Sequence, residues 1–213
     1  RLIYMDALAE LFGSQTLVKI IRLFYVNPEG VFEVREISKK VMAPYQSVAS
    51  ELRVLERIAF IKKATKTAEV ISRTKKAEKK RVSGWSINKT FAFFRPLKNL
   101  VLNAAPISRD KIFGRLKKSG RLTLVILAGI FIDRALDEPD SEGRYFDLLV
   151  VGDGIKKSAL DSTVRSLESQ LGKELVYSVF STKEFLYRLS MRDKFIRDIL
   201  DYPHEKILNK LDI

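Results

Sequence analysis

Asp147 is the residue whose position most clearly suggests chemistry. It stands directly before an apolar run, Leu148 to Val151, that predicts a buried strand, and Gly152-Asp153-Gly154 predicts a turn after it. A carboxylate at the end of such a strand can hold magnesium, but magnesium is usually bound through one or two carboxylates together with substrate phosphates. Asp147 alone is therefore a poor metal site, and its role depends on whether a second acid lies beside it.

A second set of side chains suits contact with nucleic acid. The stretch Tyr45 to Arg57 has helical periodicity, with Val48, Leu52, Leu55 and Ala59 on one side. Gln46, Ser50, Arg53 and Arg57 share the opposite side, and these side chains can donate hydrogen bonds to bases and phosphates. A helix with one apolar and one donor face is what the major groove of DNA requires.

A basic segment follows this helix. From Lys62 to Arg81 there are nine Lys or Arg and two Glu, and the strand-like stretches IAFIKKA and KKRVSGWSI predict a hairpin joined by TKTAEVISRTKKAE. Such a run is often only a solvated loop, but here it directly follows the polar helix, so that both can touch one duplex. The predicted DNA contacts are Tyr45, Gln46, Ser47, Ser50, Arg53, Arg57, Lys62, Lys63, Lys66, Arg73, Lys75, Lys76, Lys79, Lys80 and Arg81.

Composition supports a polyanionic partner for one half of the chain. The net charge is +13, yet residues 1–120 hold 25 Lys or Arg against 10 Asp or Glu, whereas residues 121–213 hold 14 against 16.

The chain has no cysteine, which excludes disulfides and cysteine-bound zinc and fits a cytoplasmic location. The longest apolar run, near Leu122 to Ile132, is too short to span a bilayer, and no secretory signal is apparent. We expect no membrane partner.

The elements before the basic helix complete a recognisable order. Met5 to Val26 is predicted as one helix, ended by Asn27-Pro28-Glu29-Gly30; VFEV at 31–34 is predicted as a short strand and Ile37 to Met42 as a short helix. Pro44 suits the first turn of the next helix. Helix, short strand, helix, helix and basic hairpin is the order of a winged helix-turn-helix.

The sequence Ile37-Ser38-Lys39-Lys40-Val41, continued by Ser47-Val48-Ala49-Ser50-Glu51-Leu52-Arg53-Val54-Leu55-Glu56 and Ile61, resembles the ArsR-like winged-helix regulators. The resemblance covers roughly residues 8–90. It implies a double-stranded DNA partner and a homodimer. The apolar stretch Phe91 to Ala105 either packs in the chain's own core or forms the dimer contact, and the sequence leaves both open.

The second half alternates strands and helices. Leu122 to Ile132, before the Asp147 strand in the sequence, and ELVYSVFS at 174–181, after it, are also predicted strands. Lys156 to Gly172, Thr182 to Leu189 and Met191 to Leu200 are predicted helices. A last short segment is expected near Ile207. His204 lies in a turn-like context without a second His or a Cys to partner it, so we assign it no catalytic role.

This order resembles the minimal nucleotidyltransferase domain of the polymerase-beta-like superfamily, with LLVVGD, LGKELVYSVFSTKEF and FIRDIL as the matching stretches. Active members carry Gly-Ser after one strand and Asp-x-Asp at the start of the next, because clustered carboxylates hold the catalytic metals. Here these motifs become Gly129-Ile130 and Tyr145-Phe146-Asp147, and Leu175 to Phe180 holds no acid. Catalysis would need Asp140, Glu142 or Asp153 to take the missing place.

We therefore expect a two-domain protein of the α+β or α/β class. It comprises a winged helix-turn-helix over residues 1–90, a linker helix region over 91–119, and a small mixed-sheet nucleotidyltransferase-like domain over 120–213. The predicted function is sequence-specific, DNA-binding transcriptional regulation, with the second domain serving partner contact or the sensing of a ligand such as a nucleotide. We expect no catalytic residue, metal or cofactor, and regard Asp147 and Gly129 as vestiges of a site. The alternative is an active metal-dependent nucleotidyltransferase that holds its substrate with the winged helix.

Overall fold

The computed structural model describes residues 7–71, 77–103, 107–132 and 146–213. The protein mixes helices with strands in two separate sheets. It divides into two compact units, Arg1–Pro106 with Ser169–Lys173, and Ile107–Glu168 with Glu174–Ile213. None of the helices in the described ranges has both the length and the apolar character needed to cross a membrane.

The first unit is a group of helices followed by a hairpin. Its elements are α1 (Ala7–Phe12), α2 (Gln15–Val26), α3 (Val34–Val41), α4 (Tyr45–Arg57), β1 (Ile61–Ile71), β2 (Ala77–Ile87) and α5 (Phe94–Asn103). β1 and β2 are antiparallel, with Ile61 opposite Ile87 and Ile71 opposite Ala77. Residues from α1 to α5 form one continuous apolar core, in which Phe24 and Phe60 are fully buried.

The single helix predicted from Met5 to Val26 is wrong, because the chain breaks at Gly13. Gly13 has a φ of +70°, which favours glycine, and Ser14 then caps α2 by accepting the Leu17 N–H at 3.1 Å. Ala59, predicted as core, is exposed and ends α4 with a φ of +60°. The buried side chain beyond this turn is Phe60, whose N–H donates to the Leu55 carbonyl at 2.9 Å.

The predicted strand at 31–34 is reduced to a single bridge. Phe32 and Trp85 exchange two backbone hydrogen bonds of 2.9 Å each, and α3 already begins at Val34. The hairpin, in contrast, is longer than predicted, because β1 and β2 take in most of the stretch predicted as a connector. The sequence did not predict these residues as strand, because their Thr and Lys side chains leave the stretch without an apolar face.

Helix α5 packs against the core of its own unit. Phe91, Phe94, Leu97 and the fully buried Val101 contact that core, and the Tyr25 hydroxyl donates to the Phe94 carbonyl at 2.9 Å. Burial raises the pKa of this hydroxyl well above its usual value. One side of α5 therefore packs in the chain's own core, which is the first of the two alternatives stated for the stretch that contains it.

The second unit is built on a four-stranded mixed sheet. Its elements are α6 (Arg109–Leu116), a 3-10 turn (Lys117–Ser119), β3 (Arg121–Ala128), a second 3-10 turn (Gly129–Phe131), β4 (Leu148–Asp153), α7 (Lys157–Leu171), β5 (Tyr177–Phe180), α8 (Thr182–Ser190), α9 (Lys194–Asp201) and β6 (His204–Asn209). The strand order is β5-β4-β3-β6, and only β4 and β5 are parallel. Helices α8 and α9 cover one face through Phe185, Ile196 and Ile199.

Several boundaries in the second unit differ from the prediction. Helix α6 was not predicted, and α9 begins only at Lys194, because Asp193 caps it by accepting the N–H groups of Phe195 and Ile196. His204 belongs to a strand rather than a turn. Burial and a hydrogen bond to the Asp161 carboxylate raise the pKa of the Tyr177 hydroxyl, which anchors β5 to α7.

Candidate nucleic-acid interface

Helix α4 presents the donor face that its sequence predicts. The side chains of Val48, Leu52 and Leu55 are at most 2 % exposed. Their burial fixes the rotation of the helix about its axis. The predicted contacts on the other side are all exposed: Tyr45, Gln46, Ser47, Ser50, Arg53 and Arg57. Neither Arg53 nor Arg57 makes an ion pair with another described residue. The polar face is thus available to a partner.

The turn that precedes α4 is held from several sides. Met42 ends α3 in the left-handed region with a φ of +52°, and the Ser38 hydroxyl donates to the Ala43 carbonyl at 2.6 Å. The Ala43 N–H returns to the Ser38 carbonyl at 3.1 Å, and the Lys19 ammonium of α2 donates to the Val41 carbonyl at 3.0 Å. These contacts, together with the packing of Ala43 against the core, fix where α4 starts.

The hairpin is joined to α3 by close backbone contact. At Gly84 a Cβ atom would lie 2.6 Å from the Phe32 carbonyl oxygen, so only glycine permits the approach that the bridge to Trp85 requires. Next to it, the Lys63 ammonium lies 5.9 Å from the centre of the Trp85 ring. The base of the hairpin therefore has a fixed position relative to α3 and α4.

The predicted hairpin cations are not equivalent. Lys62 and Arg81 are exposed and have no partner among the described residues, whereas the Lys66 ammonium forms a 2.6 Å ion pair with Glu36. Because successive strand residues face opposite ways, Lys63 and Arg81 share one face and Lys62 and Lys66 the other. Lys79 and Lys80 lie in β2, opposite Glu69 and Ala68. Arg73, Lys75 and Lys76 lie outside the described residues.

A cavity of about 360 Å³ links the start of α4 to the hairpin. Its lining includes Tyr45 of α4 and Lys63 of β1, together with two residues that the sequence did not single out, Arg35 and Ser83. The indole Nε1 of Trp85 is buried here and has no acceptor among the described residues. Arg35 is exposed and lies in the first turn of α3, directly before the helix that the sequence singled out.

In the second unit, Asp147 and Gly129 are brought together at one end of the sheet. The buried Asp147 carboxylate accepts the Ile130 N–H at 3.1 Å through Oδ1 and the Val176 N–H at 3.0 Å through Oδ2. Gly129 has a φ of +48°, and a Cβ atom on it would collide with Oδ1. Asp147 thus ties the turn after β3 to the start of β5.

Other acids do not join Asp147 in the part of the chain that the structure describes. Asp153 lies at the opposite end of β4, where its oxygens accept the Thr182 N–H at 3.2 Å and the Thr182 hydroxyl at 2.8 Å. Tyr145, Asp140 and Glu142 lie outside the described residues. Among those that are described, no group of three or more His, Cys, Asp or Glu side chains could hold a metal ion.

Comparisons with protein-family models, with curated proteins and with solved structures found no match for this chain.

Proposed function

We propose that the protein is a sequence-specific, DNA-binding transcriptional regulator whose first unit is an ArsR-like winged helix. The observation that carries the proposal is the exposed face of α4, with Gln46, Ser50, Arg53 and Arg57 beside the cationic base of a hairpin. The order α3, α4, β1 and β2 also supports it, because a recognition helix followed by a wing has this order.

The dimensions of α4 suit a major groove. Gln46 to Arg57 spans eleven residue steps, or about 16 Å at the rise of an α-helix, and the groove is about 12 Å wide. In this proposal Gln46 and Arg53 read base edges, since amide and guanidinium groups pair with adenine and guanine edges. Lys62, Lys63 and Arg81 then supply contacts to phosphates, which position the helix without reading sequence.

The second unit serves this regulator as a nucleotidyltransferase-like domain without transferase activity. The use of both Asp147 oxygens by backbone donors supports this, as does Ile130 in the place of a phosphate-binding serine. An active transferase needs carboxylates whose free oxygens hold divalent metal. Its remaining role in the proposal is partner contact or ligand sensing.

A homodimer is part of the proposal. Two half-sites about one helical turn apart require two recognition helices, and dimers of related regulators meet this need. The exposed side chains of Phe93 and Leu100, at 64 % and 46 % exposure, leave apolar surface on and beside α5 for such a contact. Two chains bound per duplex, rather than one, is the expected stoichiometry.

The test is a salt titration of the full chain with short duplexes. Affinity is expected to fall steeply with salt, with a log–log slope of roughly −5 to −8, because each neutralised phosphate contributes about −0.9. A duplex selected from a random pool should bind about a thousandfold more tightly than the pool itself, as specific sites do. Binding that is independent of salt, or a pool from which no preferred site emerges, would refute regulation by sequence-specific DNA contact.

A further inference from the structure

The second unit has a cavity of about 470 Å³ at the end of the sheet where β3 begins. It is bounded by the 3-10 turn before β3, by the start of β3 and by the residues around the end of β6. Asp147 lies at the other end of β3, about 23 Å away at the rise of a strand. The cavity is therefore separate from the nucleotidyltransferase-like position.

Three cations from three different segments line this cavity. Lys117 comes from the 3-10 turn, Arg121 from the first position of β3, and Lys210 from the residue after β6. All three side chains are exposed, and none has an ion-pair or hydrogen-bond partner among the described residues. Three cations that line one cavity without a salt bridge to another described residue are suited to receiving an anion.

The one acid in the lining offsets only part of this charge. Asp153 lies opposite Arg121 in the strand register, and its oxygens accept hydrogen bonds from the N–H and hydroxyl of Thr182 at the start of α8. Its single negative charge, set against the three positive ones, leaves the lining with a net charge of +2. The field inside the cavity is therefore positive.

Apolar side chains form part of the remaining wall, beside Gly120 and Thr123. Phe113 of α6, Leu122 of β3 and Leu208 of β6 contribute to the lining, beside the three cations. A cavity of this volume is within the range of sites for small organic molecules, which are lined mostly by apolar groups with a few placed polar ones. A simple inorganic ion would leave the apolar side chains exposed to water, and an uncharged molecule would leave the cations without a partner.

We propose that this cavity binds a small organic phosphate, with the phosphate held by Lys117, Arg121 and Lys210 and the organic group packed on Phe113, Leu122 and Leu208. The inference deepens the ligand-sensing part of the proposed function and rests on it. Because binding is measured without DNA, its failure would leave the proposal for the first unit standing.

The experiment follows backbone amide resonances of the full-length ¹⁵N-labelled chain during titration with phenyl phosphate, inorganic phosphate and phenol. Phenyl phosphate is expected to shift the amides of Gly120, Thr123 and Lys210 saturably, and to bind about tenfold more tightly than either fragment, because only it fills both parts of the site. The basic first unit can also attract anions, so the position of the shifts, and not binding alone, is the readout.

Substitutions then separate a site from general electrostatics. Arg121→Gln and Lys210→Gln should each weaken phenyl phosphate binding by about fivefold or more, because each removes a charge-assisted hydrogen bond. Lys118→Gln removes the same charge from the exposed residue next to Lys117, which does not line the cavity, and should change binding by less than about twofold. The side chains of Arg121, Lys210 and Lys118 are all exposed, so none of the three substitutions should perturb folding.

Two results would overturn the proposal. One is the absence of saturable shifts at Gly120, Thr123 and Lys210 with phenyl phosphate at millimolar concentration. The other is a loss of binding in Lys118→Gln as large as that in Arg121→Gln, which would show attraction by net charge and not a built site.

Discussion

The Asp147→Ala variant is expected to lose about 3 kcal/mol of the free energy of unfolding. Its carboxylate accepts two backbone N–H groups, from Ile130 and Val176, within the core of the second unit. Alanine leaves both donors without their acceptor and opens a cavity at the end of the sheet. A loss of this size is a large fraction of the stability of an ordinary domain.

Urea unfolding followed by far-ultraviolet circular dichroism measures the effect. With a urea slope of about 2 kcal/mol per molar, the midpoint should fall by roughly 1.5 M. Asp147→Asn keeps one acceptor oxygen but turns the other position into a donor that faces an N–H, so its loss should be intermediate. Asp201→Asn is the matched control, because it removes the same charge from an exposed position at the end of α9.

The opposite pattern would show that Asp147 is kept for chemistry. If Asp147→Ala is as stable as Asp201→Asn but abolishes magnesium-dependent transfer of label from NTPs, the nucleotidyltransferase alternative is correct. An Asp147→Ala variant that is more stable than the unsubstituted protein would also support the nucleotidyltransferase alternative, because buried catalytic acids often reduce stability.

The second large effect is expected from arginines on α4. Arg53→Ala should weaken binding to the selected duplex by about 1–3 kcal/mol, roughly 5- to 150-fold, with a much smaller loss on random duplex. The reason is that Arg53 is exposed on the polar face of α4 without an ion-pair partner among the described residues, and in the proposed function this face enters the major groove. Fluorescence anisotropy with both duplexes measures the two losses together.

Hairpin cations should behave differently from Arg53. Replacing Lys62 and Arg81 by Gln should weaken binding to both duplexes alike and reduce the magnitude of the salt slope by about 2, because phosphate contacts do not read sequence. Lys66→Gln should have less effect, since Lys66 is already paired with Glu36. The double variant Arg165→Ala with Arg197→Ala removes two exposed helical arginines from the second unit and serves as the control.

If Arg53→Ala loses the same affinity for the selected and the random duplex, the result would contradict sequence readout by α4. Losses in the Arg165 and Arg197 control as large as those in the hairpin variant would show that net charge, and not the hairpin, carries the affinity.

The sequence predicted best what depends on local pattern. The bounds of α4 agree with the prediction because its apolar positions repeat at helical spacing between Pro44 and the turn at Ala59. The break at Gly13 was missed, because apolar residues continue at the same spacing on both sides of it. Helix α6 was missed for the opposite reason: its eight residues carry few apolar positions.

Long-range contacts were beyond the sequence. The strand predicted from Leu122 to Ile132 ends at Ala128, because the next turn must bring the Ile130 N–H to Asp147. The resemblance singled out Asp147 and Gly129, but the sequence could not show that each Asp147 oxygen accepts a backbone N–H. In the same way, the places of Arg35 and Ser83 beside Tyr45 depend on how the hairpin meets α3.

The most direct test of the central claim is to map the amide resonances of the ¹⁵N-labelled full chain on adding the selected duplex. The account predicts the largest shifts in Tyr45–Arg57 and at the base of the hairpin, from Lys62 to Thr67 and from Arg81 to Trp85. The same map with Arg53→Ala should show weaker binding at unchanged positions. Shifts that spare α4, or that are confined to the second unit, would contradict DNA recognition by the first unit.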